Sequence, residues 1–140
     1  MKVLFSKDVL EDVLTGGSCS ADAGALLNMC QDGRIRGYIC TWHLLEYARE
    51  LDNASARTFL SVAGRLFHPL GVNTRDIRNA LECENFDIGL YSVLVMRHRL
   101  DCAVITQKIR RNDSTIELYV PKELRKIIEN GKTAQQRRNL

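Results

Sequence analysis

The chain has 140 residues, 45% of them hydrophobic and 26% charged, and a formal net charge of +3 at pH 7. That is the length and balance of one globular domain, able to bury a core without disulfides or a structural metal. The longest apolar runs, Val93 to Met96 and Cys102 to Ile105, are far too short to span a bilayer, so no membrane segment is expected.

Met1 to Val9 joins one lysine to a short apolar patch and soon meets Asp8, Glu11 and Asp12, unlike the long apolar core of a secretory signal. A cytoplasmic protein is expected. The five cysteines, Cys19, Cys30, Cys40, Cys83 and Cys102, form neither a CxxC pair nor a metal-finger spacing, and are read as reduced, mostly buried thiols. Basic residues gather in Arg97-His98-Arg99, in Lys108-Ile109-Arg110-Arg111 and near the end at Lys132, Arg137 and Arg138. Such clusters can meet phosphates, although a solvated basic face is the plainer reading.

In chain order, Lys2 to Phe5 is a strand, and Val9, Leu10, Val13 and Leu14 follow at helical spacing up to a stop at Gly16-Gly17. Ser18 to Ala21 supplies caps for a helix with the stripe Ala23, Leu26, Leu27 and Cys30, ending near Gly33; Gly37 to Cys40 is the next strand. Thr41 is placed as the cap of a helix carrying Leu44, Leu45, Ala48 and Leu51, and Asn53 as the cap of another through Leu66. Phe67 to Val72 reads as a strand that Pro69 directs to an edge or terminal position, and Asn73 or Thr74 opens a helix with Ile77, Ala80 and Leu81. Asp87 is placed as the cap of a strongly apolar helix through Leu94, Cys102 to Ile105 as a β run, and Ile116 to Val120 as a last strand. Pro121 suits the first position of a closing helix with Leu124, Ile127 and Ile128. Residues 1–129 are thus expected to form one domain and 130–140 a polar, basic tail.

Strands alternating with helices predict an α/β fold with a mainly parallel sheet of about five strands and helices on both faces. Ligands of such sheets bind at the strand carboxyl ends, here Ser6 to Asp8, Thr41 and Thr106 to Lys108. No Gly-rich phosphate loop, nucleophile elbow or Cys-His pair is present. His43 and Glu46 lie three apart on one helical face, an arrangement that can supply two metal ligands but more often means a solvent-facing or hydrogen-bonded histidine. Trp42 can stack on a base, with a core or helix-packing role favoured.

The opening Lys2-Val-Leu-Phe-Ser-Lys-Asp-Val-Leu-Glu-Asp-Val-Leu14 resembles the first motif of PIN domains, the PilT N-terminal nuclease fold. Tyr38-Ile-Cys-Thr-Trp-His-Leu-Leu-Glu46 resembles the second, and Asn85-Phe-Asp-Ile-Gly-Leu90 the Asp-Phe-Glu-Asp-Ala-Leu signature of a bacterial subgroup. Cys102-Ala-Val-Ile-Thr-Gln-Lys-Ile109 and Leu118-Tyr-Val-Pro-Lys-Glu-Leu124 resemble the ending. The resemblance implies a PIN-like three-layer fold. It also implies kinship with the toxin ribonucleases of bacterial toxin-antitoxin modules, in which clustered carboxylates hold one or two Mg²⁺ or Mn²⁺ ions.

Four departures thin that acidic set. Ser6 stands where the family has its metal-binding Asp, Asn85 and Ile88 replace two further Asp residues, and Lys108 brings a positive charge to the last motif. Glu46 is kept. The reading that follows is a PIN-like protein with lost or weakened ribonuclease activity that binds RNA or an antitoxin-like or regulatory protein. No cofactor is then needed. The alternative is an active Mg²⁺- or Mn²⁺-dependent endoribonuclease with Glu46, Asp8 and Asp87 catalytic and Glu46 and Asp8 holding metal. Asp12 and Asp113 also lie near the vacant positions. Ser6, Lys7, Thr106, Gln107, Lys108, Arg110 and Arg111 are the residues expected to meet RNA or phosphate, while Ser6 and Thr106 are also read as plain helix caps. Homo-oligomers are a further implication of the resemblance.

Overall fold

A computed structural model describes residues 1–107 and 116–131. Strands β1 (Lys2–Phe5), β2 (Arg36–Cys40), β3 (Phe67–Leu70), β4 (Cys102–Val104) and β5 (Leu118–Tyr119) form one sheet in the order β3-β2-β1-β4-β5. Every pairing is parallel. The chain steps from β1 out to β3 on one side, then returns to lay β4 and β5 on the other, so the order reverses at β1. In open α/β sheets the crevice at that reversal, beyond the strand carboxyl ends, is where ligands bind. Here it falls beside Ser6, Cys40 and Ile105.

The helices are α1 (Lys7–Thr15), α2 (Ser20–Gln31), α3 (Thr41–Glu50), α4 (Asn53–Leu66), α5 (Thr74–Ala80), α6 (Phe86–His98) and α7 (Pro121–Glu129). Alternate residues of β1 divide between two cores. Val3 and Phe5 join Val9, Leu26, Ala63 and Leu124 on the side of α1, α2, α4 and α7. Leu4 joins Ala80, Leu90 and Leu94 on the side of α5 and α6. This is the period-two alternation of a strand buried on both faces, and it makes the molecule a three-layer α/β fold. Pro69 sits on edge strand β3, where its missing N–H faces no neighbour.

Ser6 caps α1, with its hydroxyl accepting from the Val9 N–H at 3.4 Å, and Asp8 lies in the first turn. Three other caps differ from their expected positions, because α3 and α4 begin one residue, and α6 two, earlier than the apolar spacing indicates. Asp52, not Asn53, caps α4, and Cys40 holds the cap position of α3 with Thr41 already helical. Asn85, accepting from the Ile88 N–H at 3.1 Å, caps α6 where Asp87 was expected. Gly16 closes α1 at φ 71°, a left-handed conformation that an L side chain resists.

Candidate functional site

The carboxyl ends of β1 and β2 lead directly into α1 and α3, and this brings the two helix starts together. His43, 4% exposed, is bonded at both ring nitrogens: Nδ1 to Glu46 Oε1 at 2.9 Å and Nε2 to the Tyr91 hydroxyl at 3.0 Å. An ionised carboxylate can only accept, so Nδ1 carries the hydrogen and Nε2 accepts from Tyr91. Spacing on α3 paired His43 with Glu46, whereas Tyr91, 48 positions beyond His43, joins them only through packing of α6. The hydrogen-bonded histidine is what the structure contains.

The other Glu46 oxygen, Oε2, lies 3.8 Å from Lys7 Nζ. The same ammonium stands 3.6 Å from Glu11 and 3.3 Å from Glu50. Burial lowers the Lys7 pKa, but the Glu50 hydrogen bond and the Glu46, Glu50 and Glu11 charges outweigh it and raise the group above its ordinary value. Lys7, expected to meet phosphate, is therefore occupied with carboxylates. Burial drives the Tyr91 hydroxyl far above the usual tyrosine range, and the Asp87 and Asp8 carboxylates push it further. Asp8 and Asp87 themselves are exposed, each in the first turn of its helix. Their charges thus converge on the tyrosine that supports His43.

Ser6 is 1% exposed and spends its hydroxyl on the α1 cap. Thr106 is half-buried in the bend after β4, with its carbonyl accepting from Cys19 Sγ at 3.8 Å, and Gln107 is exposed. Asp12 accepts from the Cys19 N–H at 3.2 Å and so ties the α1–α2 turn. Lys108, Arg110, Arg111 and Asp113 lie outside the described residues. Trp42, favoured for a core role, is 51% exposed, because His43 takes the inward position on α3 and its neighbour points away.

A divalent ion of the kind the resemblance implies needs several free oxygen donors around one point. Among the described residues no group of three or more His, Cys, Asp or Glu side chains stands close enough to hold a metal. Glu46 is already bonded to His43 and faces a resident ammonium. Among the described residues the donor set does not fit the ion.

A second feature lies on the α1, α2 and α4 side. An open groove of ≈ 550 Å³ runs between α1 and α4, lined by Leu10, Val13, Leu14, Leu27, Tyr47, Phe59, Val62 and Leu66 among others. Leu14 is 57% exposed and Val62 41%, so the groove floor meets water. Tyr47 and Phe59, both in its lining, pack at 4.6 Å between ring centroids with their planes tilted by 36°. Solvated apolar surface gathered into one concavity is the usual mark of a binding site.

No family model matches this chain, and no curated protein matches it in sequence. Among solved structures it is similar to a chain of a toxin-antitoxin complex from Klebsiella pneumoniae. The two superpose with a TM-score of 0.62 at 12% identity, over 85% of this chain and 97% of the other. The likeness is one of fold. Sequence reasoning missed Tyr91 and the groove. Tyr91 offered one signal, a phenol hydroxyl that with Ser92 interrupts the apolar run of α6, while the groove joins Leu14 of α1 to Val62 of α4 and had no local signal.

Proposed function

We propose that the chain is a PIN-like domain whose metal-dependent ribonuclease activity is lost or weakened and which acts by binding a protein partner. The observation that carries this reading is the state of Glu46, held by His43 on one oxygen and facing the Lys7 ammonium on the other. A carboxylate so engaged is a poor metal ligand, and Ser6 has no charge to add. What the site retains is a fixed polar network rather than an open cluster of acids.

The binding role is supported by the groove between α1 and α4, whose apolar lining suits the apolar face of an amphipathic helix. A chain of similar fold occurs in a toxin-antitoxin complex, and an antitoxin-like segment is the occupant we propose. A second reading, an active Mg²⁺- or Mn²⁺-dependent endoribonuclease, draws on the Asp8 and Asp87 charges that converge with Glu46 on the His43–Tyr91 pair.

One gel separates them. Labelled single-stranded RNA is incubated with the protein in Mn²⁺ or in chelator, beside Glu46→Gln, and both cleavage and retention of the intact strand are read. An uncut, unretained strand is expected. Cleavage that needs metal and disappears in the variant overturns the proposal in favour of the ribonuclease, and an uncut but retained strand replaces the protein partner with RNA.

A further inference from the structure

Lys7 is the first residue of α1, and its ammonium reaches three carboxylates on two helices. Glu11 lies four residues further along α1, and Glu46 and Glu50 are themselves four apart on α3. That spacing puts each pair on one helical face, and on α3 it sets two like charges side by side, which is a repulsive arrangement. The Lys7 side chain is 18% exposed, less than any of the three acids around it. The cation is thus the sheltered centre of the group, and the acids are its wetter rim.

Distance decides which cation such a group suits. Nζ lies 3.3 Å from Glu50, 3.6 Å from Glu11 and 3.8 Å from Glu46. The hard divalent ions hold their oxygens at about 2.0–2.6 Å, in a shell of about six or more. An ammonium keeps its partners further out and has only three hydrogens to share. The three carboxylates match an ammonium in range and in number, and each would stand out of reach of a divalent ion at the same point.

We propose that the Lys7 ammonium is a tethered cation that takes over the charge-balancing place of the divalent ion the PIN resemblance implies. Glu46 then has a use that needs no metal: with Glu11 and Glu50 it seats the cation that joins α1 to α3. Burial alone would lower the Lys7 pKa, but the Glu50 hydrogen bond and the surrounding carboxylates raise it, so the ammonium stays charged. A chelator strips a bound ion and cannot strip a side chain, so the cleft keeps its charge balance whatever the metal content. The inference rests on the reading that Glu46 is not a working metal ligand, and it names what holds that carboxylate instead.

The test is Mn²⁺ binding to the full chain, followed by the electron paramagnetic resonance signal of the free ion. It compares the unmodified protein with Glu46→Gln, Lys7→Met, Lys7→Gln, Lys7→Arg and Lys7→Met/Glu46→Gln. Lys2→Met, which removes the same charge from the exposed far end of β1, is the control for net charge. Circular dichroism verifies that each variant is folded. The unmodified protein should bind Mn²⁺ no better than Glu46→Gln does, and Lys7→Arg and Lys2→Met should match it. Lys7→Met and Lys7→Gln, whose three carboxylates are left without their cation, should bind at least about tenfold more tightly, and Lys7→Met/Glu46→Gln should lose that gain. No gain in either neutral Lys7 variant overturns this inference alone and leaves the proposed function standing. A gain matched by Lys2→Met, or kept without Glu46, also overturns it. Binding by the unmodified chain that Glu46→Gln removes overturns both.

Discussion

Tyr91 and Lys7 both contact the Glu46 network, yet they differ in what their removal costs. The Tyr91 hydroxyl is buried and gives His43 Nε2 its only donor among the described residues. Tyr91→Phe leaves that nitrogen buried and unpaired, and is expected to lower unfolding free energy by about 1–3 kcal/mol in urea denaturation. Lys7 faces three carboxylates, but Glu50 is 61% exposed and Glu11 and Glu46 are more than a third exposed. Solvent screens such pairs, so Lys7→Met should cost less than about 1 kcal/mol, and added salt should shrink the difference further. A larger, salt-independent loss would mean that the Lys7 stem matters through packing. The His43–Glu46 pair was legible because a spacing of three on a helix places two side chains on one face. Its inner partner was not legible, since nothing local to Tyr91 specifies which helix α6 will touch.

Among the elements, the α5–α6 pair is held by close approach. A Cβ added at Gly89 would stand 2.6 Å from the Ala80 carbonyl oxygen and 2.8 Å from Cys83 Cβ. Backbone cannot give way as a flexible side chain does, so Gly89→Ala should separate the helices and destabilise by about 1–3 kcal/mol, read as a lower thermal midpoint. The buried Asp76, 2% exposed, adds a tie by completing the α5 capping box and accepting from Arg97. Asp76→Ala should cost about 1–3 kcal/mol, because it strips the Arg97 partner and the Asn73 N–H acceptor together. Strand and helix order was legible throughout the described residues, since apolar period, the stop at Gly16 and the start at Pro121 are local signals. The caps were less so. Asp87 and Asn53 are good capping residues by type, but the role goes to whichever residue precedes the first helical one.

For the whole molecule, burial of several weak acids predicts an alkaline limit. Burial pushes the Cys30 thiol up to about 12 from an ordinary value of 9.0, and raises Cys40, Cys102 and the Tyr91 hydroxyl as well. Above pH 9 the unfolded thiols release protons that the folded chain retains, so the folded state binds more protons and stability falls as pH rises. Thermal midpoints in reductant should hold from pH 7 to near 9 and decline above it. A flat profile through pH 10.5 would contradict the burial of these thiols.

The sequence by itself determined the α/β class, an edge or terminal place for β3 through Pro69, and the uncharged side chains at Ser6, Asn85 and Ile88, because composition, period and residue identity act within a few positions of one another. Tertiary structure alone decided that Lys7 stands beside Glu46, that Tyr91 supports His43, and that Leu14 and Val62 open into one groove. Each of these joins helices far apart in the chain. The contact comes from the reversal of strand order at β1, a property of the assembled sheet to which no single segment holds the key.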